Sequence, residues 1–258
     1  MIEVVSGPLD YQPLSCQQCK NGEVLGFDFT MAFQPIVDVK RRSIFGYEAL
    51  VRGLNQESAY QVIKQVNQHN LYRFDQSCRV KAIGLAARLK IDCFVSINFM
   101  PNAVYRPELC IRTTLQAAAE NNFPIEQIIF ELTEAEKVTD VAHMKSIVEY
   151  YRAKGFKTAL DDFGAGYSGL NMFAQFQPDI IKLDMQLIRN IDKDTVKQAI
   201  VRRMTQLNVD LGVITLAEGV ETRAEFDVLC SYGIELYQGY LFAKPGFECL
   251  PQVDMSFI

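Results

Sequence analysis

The chain has no tryptophan, only two histidines, and no apolar run of the roughly 18 residues that a bilayer crossing requires. The missing tryptophan excludes nothing. The two histidines, His69 and His143, both fall in helix-like segments, where they read as solvated or core residues, and so few imidazoles disfavour zinc at an acid cluster. The lack of a long apolar run excludes a membrane span. The opening MIEVVSGPLDYQPLS lacks the basic and apolar regions of a signal peptide. Cysteine is odd in number and scattered, at 16, 19, 78, 93, 110, 230 and 249, which fits reduced thiols in the cytoplasm better than a disulfide framework. The net charge of −5 shows no excess of positive residues and argues against DNA or RNA binding. It leaves room for a phosphate ligand, because metal ions and a few local cations reverse the sign inside a site.

What is present is an ordinary enzyme-like composition, 49% hydrophobic and 22% charged, in 258 residues. Residues 1–28 carry no sustained periodicity and read as an irregular N-terminal extension. Its Cys16-Gln-Gln-Cys19 pair has no second CxxC or nearby histidine. Three readings fit it: incidental thiols, a metal site completed by another segment or molecule, or a redox pair.

From Phe29 onward apolar β-rich runs alternate with helical patterns. Strands are predicted at Met31–Val37, Ile44–Leu50, Phe94–Asn98, Ile128–Leu132, Phe156–Leu160, Ile180–Leu183, Val213–Ala217 and Leu236–Tyr240. Helices are predicted at Glu57–Gln68, Arg73–Leu89, Ile111–Asn121, Val141–Ala153, Asp194–Leu211 and Arg223–Tyr232. This alternation predicts one α/β domain over 29–258, a TIM-like (β/α)8 barrel. The gap between the first two runs is too short for a helical crossover, so they should pair antiparallel and leave one strand reversed.

Polar residues cluster at the ends of these strands: Glu48, Asn98, Glu131, Asp161, Asp162, Lys182, Glu218 and Gln238, with Asp184 close by. A barrel gathers such ends at one face, where active sites are built. The segment LDDFGAGYSG, Leu160 to Gly169, is the most informative. It reads as strand, acid pair and glycine loop, either a metal site at the rim or an acidic turn capping the next helix. On an extended backbone the two Asp side chains point in different directions and serve two cations, or one cation and a supporting partner. Crowded carboxylates repel unless cations sit among them, and an all-oxygen set favours Mg²⁺ or Mn²⁺. Two ions about 3.5–4 Å apart are a device for phosphodiester cleavage. Lys182 would add charge beside the attacking water, and Arg52 reads either as a phosphate clamp or as a surface charge.

The blocks FQPIVDVKRRSIFGYEALVR at 33–52, SIN at 96–98, FELTE at 130–134, LDDFGAGYSGL at 160–170, IKLD at 181–184, AEGVET at 217–222 and QGYLFAKP at 238–245 resemble, in order, those of the EAL-domain family of cyclic di-GMP phosphodiesterases. The resemblance implies a barrel with one antiparallel strand and metal-dependent hydrolysis of cyclic di-GMP to linear pGpG, with Mg²⁺ or Mn²⁺ active and Ca²⁺ inhibitory. It implies that Glu48, Asn98, Glu131, Asp161, Asp162 and Glu218 hold the metals, and that Lys182, with Glu48 and Glu218, serves catalysis. Gln34, Arg52 and Gln238 match substrate-side positions. Glu134 matches an anchor of the glycine loop, which in the family often forms a homodimer interface. Two departures, Gly53 for an aromatic residue and Phe99-Met100 for a small or polar pair, are expected to weaken base stacking without removing a metal ligand. A non-catalytic cyclic di-GMP receptor or interaction module on the same barrel is the alternative. Regulation is expected through dimerisation, a protein partner or the Cys16/Cys19 segment.

Overall fold

The structure is a computed structural model that describes residues 25–104, 106–133, 141–166 and 169–256. Cys16, Cys19 and Glu134 lie outside the described residues. Eight strands close into a barrel: β1 (Thr30–Asp38), β2 (Ser43–Arg52), β3 (Phe94–Phe99), β4 (Ile128–Thr133), β5 (Lys157–Phe163), β6 (Ile180–Leu183), β7 (Ile214–Ala217) and β8 (Leu236–Tyr237). Neighbours from β2 to β8 pair parallel, and β1 pairs antiparallel with both β2 and β8, so the reversed strand is the first. A short ninth strand, β9 (Gly246–Phe247), adds to β1.

Period-two alternation splits the barrel interior into two tiers. One tier is apolar: Ile36, Ile129, Ala159, Ile180, Leu216 and Leu236, joined by Phe45 and Phe94. Two residues further along β4 to β8 come Glu131, Asp161, Lys182, Glu218 and Gln238. In β1 the order is inverted, with Gln34 before Ile36. That inversion is what an antiparallel strand needs to put its polar residue at the same mouth.

The outward faces of the strands pack against helices in a second, larger core. The helices are α1 (Ala59–Ile63), α2 (Leu71–Arg88), α3 (Pro107–Cys110), α4 (Arg112–Glu120), α5 (Val141–Ala153), α6 (Gly169–Gln175), α7 (Met185–Ile188), α8 (Thr195–Asp210) and α9 (Arg223–Ser231). The helix predicted over Glu57–Gln68 is cut to five residues by the Ser58–Gln61 capping box at its start and by turns after Ile63. The last barrel strand is shorter than expected. Gln238 N–H still reaches the Ala217 carbonyl at 2.9 Å. The chain then turns at Gly239, whose backbone lies so close to Val220 that a Cβ would sit 2.1 Å from its carbonyl oxygen. No helix among the described residues is long and apolar enough to cross a membrane.

Candidate metal centre

The polar tier converges on one lysine. Lys182, 1% exposed in the middle of the apolar strand β6, has its Nζ 2.7 Å from Glu218, 2.9 Å from Glu131, 3.0 Å from Asp161 and 3.6 Å from Glu48. Burial by itself would lower its pKa, but Asp161, Glu131, Glu218 and Glu48 together raise it well above the usual lysine value. The ammonium is therefore fixed as a cation among acids supplied by β2, β4, β5 and the end of β7.

Side chains brace these acids from the remaining strands. Glu131 accepts from the Ser96 hydroxyl at 2.5 Å. Glu48 accepts from Asn98 Nδ2 at 2.8 Å on one oxygen and from Gln238 Nε2 at 2.6 Å on the other. Gln34 donates to the Ala243 carbonyl at 3.2 Å and accepts from Gln238 at 3.3 Å. All eight barrel strands thus contribute to one cluster.

The acid pair departs from its sequence expectation. Asp161 and Asp162 do not point apart, because β5 is not extended there: Asp162 has φ 53° and the β5–β6 register slips between Leu160 and Phe163. The slip turns Phe163 outward onto Phe173 of α6 and leaves both carboxylates on the side of the barrel mouth. The Asp162 amide donates to Asp161 Oδ1 at 2.9 Å, which steadies the turn.

Two triads of carboxylates result, Glu48–Glu131–Asp161 and Asp161–Asp162–Glu218, each with one oxygen per residue lying within 4.8 Å of the others. Asp161 belongs to both. One ammonium does not neutralise five acids, and three of them are pushed towards the protonated form. Burial, with Glu48 beside it, pushes Glu131 well above the ordinary carboxylate range. Burial, with Asp161 beside it, does the same to Glu218. Asp162 is raised to about 6 by burial and by Asp161 and Asp184. Glu131 Oε2 and Gln238 Oε1 are buried without a hydrogen-bond partner among the described residues. Unpaired oxygens inside an over-acidic, all-oxygen cluster are what hard divalent cations fit.

A depression of about 250 Å³ opens onto the cluster, lined by Gln34, Glu48, Asp162, Asp184, Met185, Glu218, Gly219, Glu221, Gln238, Gly239 and Tyr240. Asp184 lines it but also caps α7, accepting from Gln186 N–H at 2.8 Å. Arg52 is not brought in. It ends β2 half-buried, with Nη1 on the Val51 carbonyl at 2.7 Å. Sequence reasoning had no separate role for Ser96, although its place between Phe94 and Asn98 on alternate positions of β3 marks it as inward-facing. Tyr240, 55% exposed at the rim, was legible only as part of a block. A larger depression of about 730 Å³ opens at the opposite mouth, but its cations are already paired, Arg41 with Asp38 at 2.6 Å and Lys157 with Asp179 at 2.9 Å.

Comparison with known proteins gives consistent matches. The EAL domain profile matches residues 18–245. The blue light- and temperature-regulated antirepressor BluF of Escherichia coli is 33% identical over 86% of this chain and 55% of its own length. The cyclic di-GMP phosphodiesterase PdeR of the same organism is 39% identical over 50% of this chain and 20% of its own. This chain thus spans about half or less of the length of these curated relatives. A standalone versatile EAL protein from Vibrio cholerae, solved with c-di-GMP bound, is 63% identical with a TM-score of 0.88, covering 90% of this chain and 98% of that one. Klebsiella pneumoniae BlrP1, solved with calcium and cy-diGMP, is 34% identical with a TM-score of 0.83, covering 87% of this chain and 57% of that one.

Proposed function

Because the chain belongs to the EAL domain family, we propose that it hydrolyses cyclic di-GMP to linear pGpG at a centre holding two Mg²⁺ or Mn²⁺ ions. The observation that carries this is Asp161, shared by two carboxylate triads. Glu48, Asn98, Glu131, Asp161, Asp162 and Glu218 would hold the ions, Asp161 being the carboxylate common to both triads. When bound, such ions lower the pKa of water and stabilise charge on phosphoryl oxygens. Lys182, buried among the acids, keeps a fixed positive charge where the attacking oxygen and the phosphoryl group must meet. Glu218, less buried than Glu131, stands at the mouth as the acceptor for a water proton.

Gln34 and Gln238 orient the substrate side of Glu48. The depression is small against typical ligand cavities of about 300–1,000 Å³, so it takes the scissile phosphate while the bases lie beyond its rim, near Tyr240. Arg52 is assigned to a phosphate reached only once substrate draws it from the Val51 carbonyl. Ca²⁺ is expected to bind without supporting turnover, since its looser coordination misplaces the water. A homodimer through the loop after Asp162 and a cytoplasmic location complete the reading. The test is direct: incubate the protein with cyclic di-GMP and Mg²⁺ or Mn²⁺ and follow pGpG by chromatography. Turnover is expected with both, and none with either overturns the assignment.

The relative named an antirepressor supports a second reading, a cyclic di-GMP receptor that acts by contact with a protein. Nucleotide binding without pGpG, unaltered by Lys182→Ala, would establish it. The filled set of acids favours the enzyme.

A further inference from the structure

A second buried charge pair lies behind the acid tier, on the helix side of the barrel wall. Asp75 and Arg79, one turn apart on α2, are 1% and 0% exposed, with Nη2 2.6 Å from Oδ2. The other Asp75 oxygen accepts the backbone N–H of Met100 at 2.9 Å. The Arg79 guanidinium sits 5.2 Å from the Phe130 ring centre, 5.4 Å from that of Phe99 and 5.9 Å from that of Tyr151, and donates to the Tyr151 hydroxyl at 3.3 Å. Phe99 and Met100 are the two residues that follow Asn98, and Phe130 precedes Glu131. Asn98 and Glu131 are themselves partners in the β3–β4 register. The pair therefore holds the two strands from behind, at the height of two inward polar residues.

Stability alone does not call for charges here. Buried ion pairs replaced by apolar residues of similar size are often neutral or stabilising. The surrounding Phe99, Phe130 and Tyr151 would accept an apolar neighbour. What an apolar pair does not supply is an acceptor for the Met100 amide, which lies just past the end of β3 and has left its ladder.

We propose that Asp75, oriented by Arg79, is a positioning residue for the Asn98–Glu131 edge of the metal centre, an inference that rests on the metal-centre reading above. Met100 fixes where the chain leaves β3, two residues past Asn98, and Asn98 in turn holds Glu48 at 2.8 Å. Outer partners of this kind set metal affinity by about 10–100-fold.

Two double variants of the full chain separate positioning from mere packing. Asp75→Leu with Arg79→Met and Asp75→Asn with Arg79→Met both remove the charge pair, but only the asparagine keeps an oxygen for the Met100 amide. Each is melted in chelator to measure folding, and its Mn²⁺ affinity is measured from the electron paramagnetic resonance of free ion. The asparagine variant is expected to melt near the wild type, and the leucine variant somewhat lower but as a single cooperative transition, because its Met100 amide loses its acceptor. The leucine variant is expected to bind Mn²⁺ about tenfold or more weakly, and the asparagine variant as the wild type does. Wild-type affinity in the leucine variant, or an equal loss in both, overturns the inference while leaving the metal centre standing. Absence of Mn²⁺ binding in the wild type overturns both. If the leucine variant fails to fold, Asp75→Ala with Arg79→Met is read the same way. Independently, hydrogen exchange of the Met100 amide in the wild type should be slow, and fast exchange overturns the proposal.

Discussion

Asp161 and Asp162 are neighbours in sequence with different weights in the cluster. Asp161 is common to both triads, so Asp161→Asn removes a ligand from each. It is expected to abolish pGpG formation while leaving the circular dichroism spectrum and melting profile intact; a near-normal rate with Mg²⁺ would refute its role as the shared ligand. Asp162 carries a testable cost. Its folded pKa, raised to about 6, lies above the unfolded value near 3.8. The folded state thus binds the extra proton, and metal-free stability falls as pH rises from about 4 through about 6, with the full penalty present above that window. Allowing for its partial exposure, that penalty is about 1–2 kcal/mol. Asp162→Asn, which also tolerates the left-handed backbone, should therefore raise the melting temperature in chelator at about pH 7.5 and change little at about pH 4.5. A melting temperature unchanged at the higher pH would count against it.

At the scale of single elements, the loop after β5 depends on Gly164. Its φ is 102°, and a Cβ there would meet Leu187 of α7 at 2.6 Å. Gly164→Ala is expected to cost about 1–3 kcal/mol in denaturant unfolding and to lower turnover, because the same loop leaves Asp162. The barrel strands were legible because apolar β-rich runs alternate with helical patterns, and the short gap between the first two runs revealed the reversed strand. The short helices α6 and α7 were missed because they hold less than two turns each, below what periodicity detects. The slip in β5 was illegible for another reason. A left-handed aspartate leaves no mark in composition, since tertiary contacts over-determine it. Asp75 and Arg79 were visible only as an i,i+4 pair, which on most helices faces solvent. Their burial depends on a strand distant in sequence.

At the scale of the whole molecule, the outside of the glycine loop is as informative as its inside. Leu170 of α6 is 60% exposed and Met185, at the start of α7, is 46% exposed. Covering them with a second copy would couple association to the loop that sets Asp162. Leu170→Glu should therefore shift the sedimentation coefficient to that of a monomer and reduce turnover together. A monomer with full activity would separate the two.

The reversed first strand has a last consequence, for where the described chain enters and leaves the barrel. In a barrel with all strands parallel, both ends meet at the same face, and natural termini are usually close enough to be rejoined. Here Thr30 sits across from Arg52 at the mouth where the acids gather, whereas the Met255 carbonyl lies 3.4 Å from Arg42, in the hairpin turn at the other mouth. The described chain enters at one pole and leaves at the other, separated by the length of a nine-residue strand, about 30 Å. A circular permutant of residues 30–256 alone, with Thr30 and Ser256 joined by only a few residues, should fail to fold. A load applied at Thr30 and Met255 would pull along the barrel axis, and β1, entered from the pole where the acids gather, would be among the first strands to bear it.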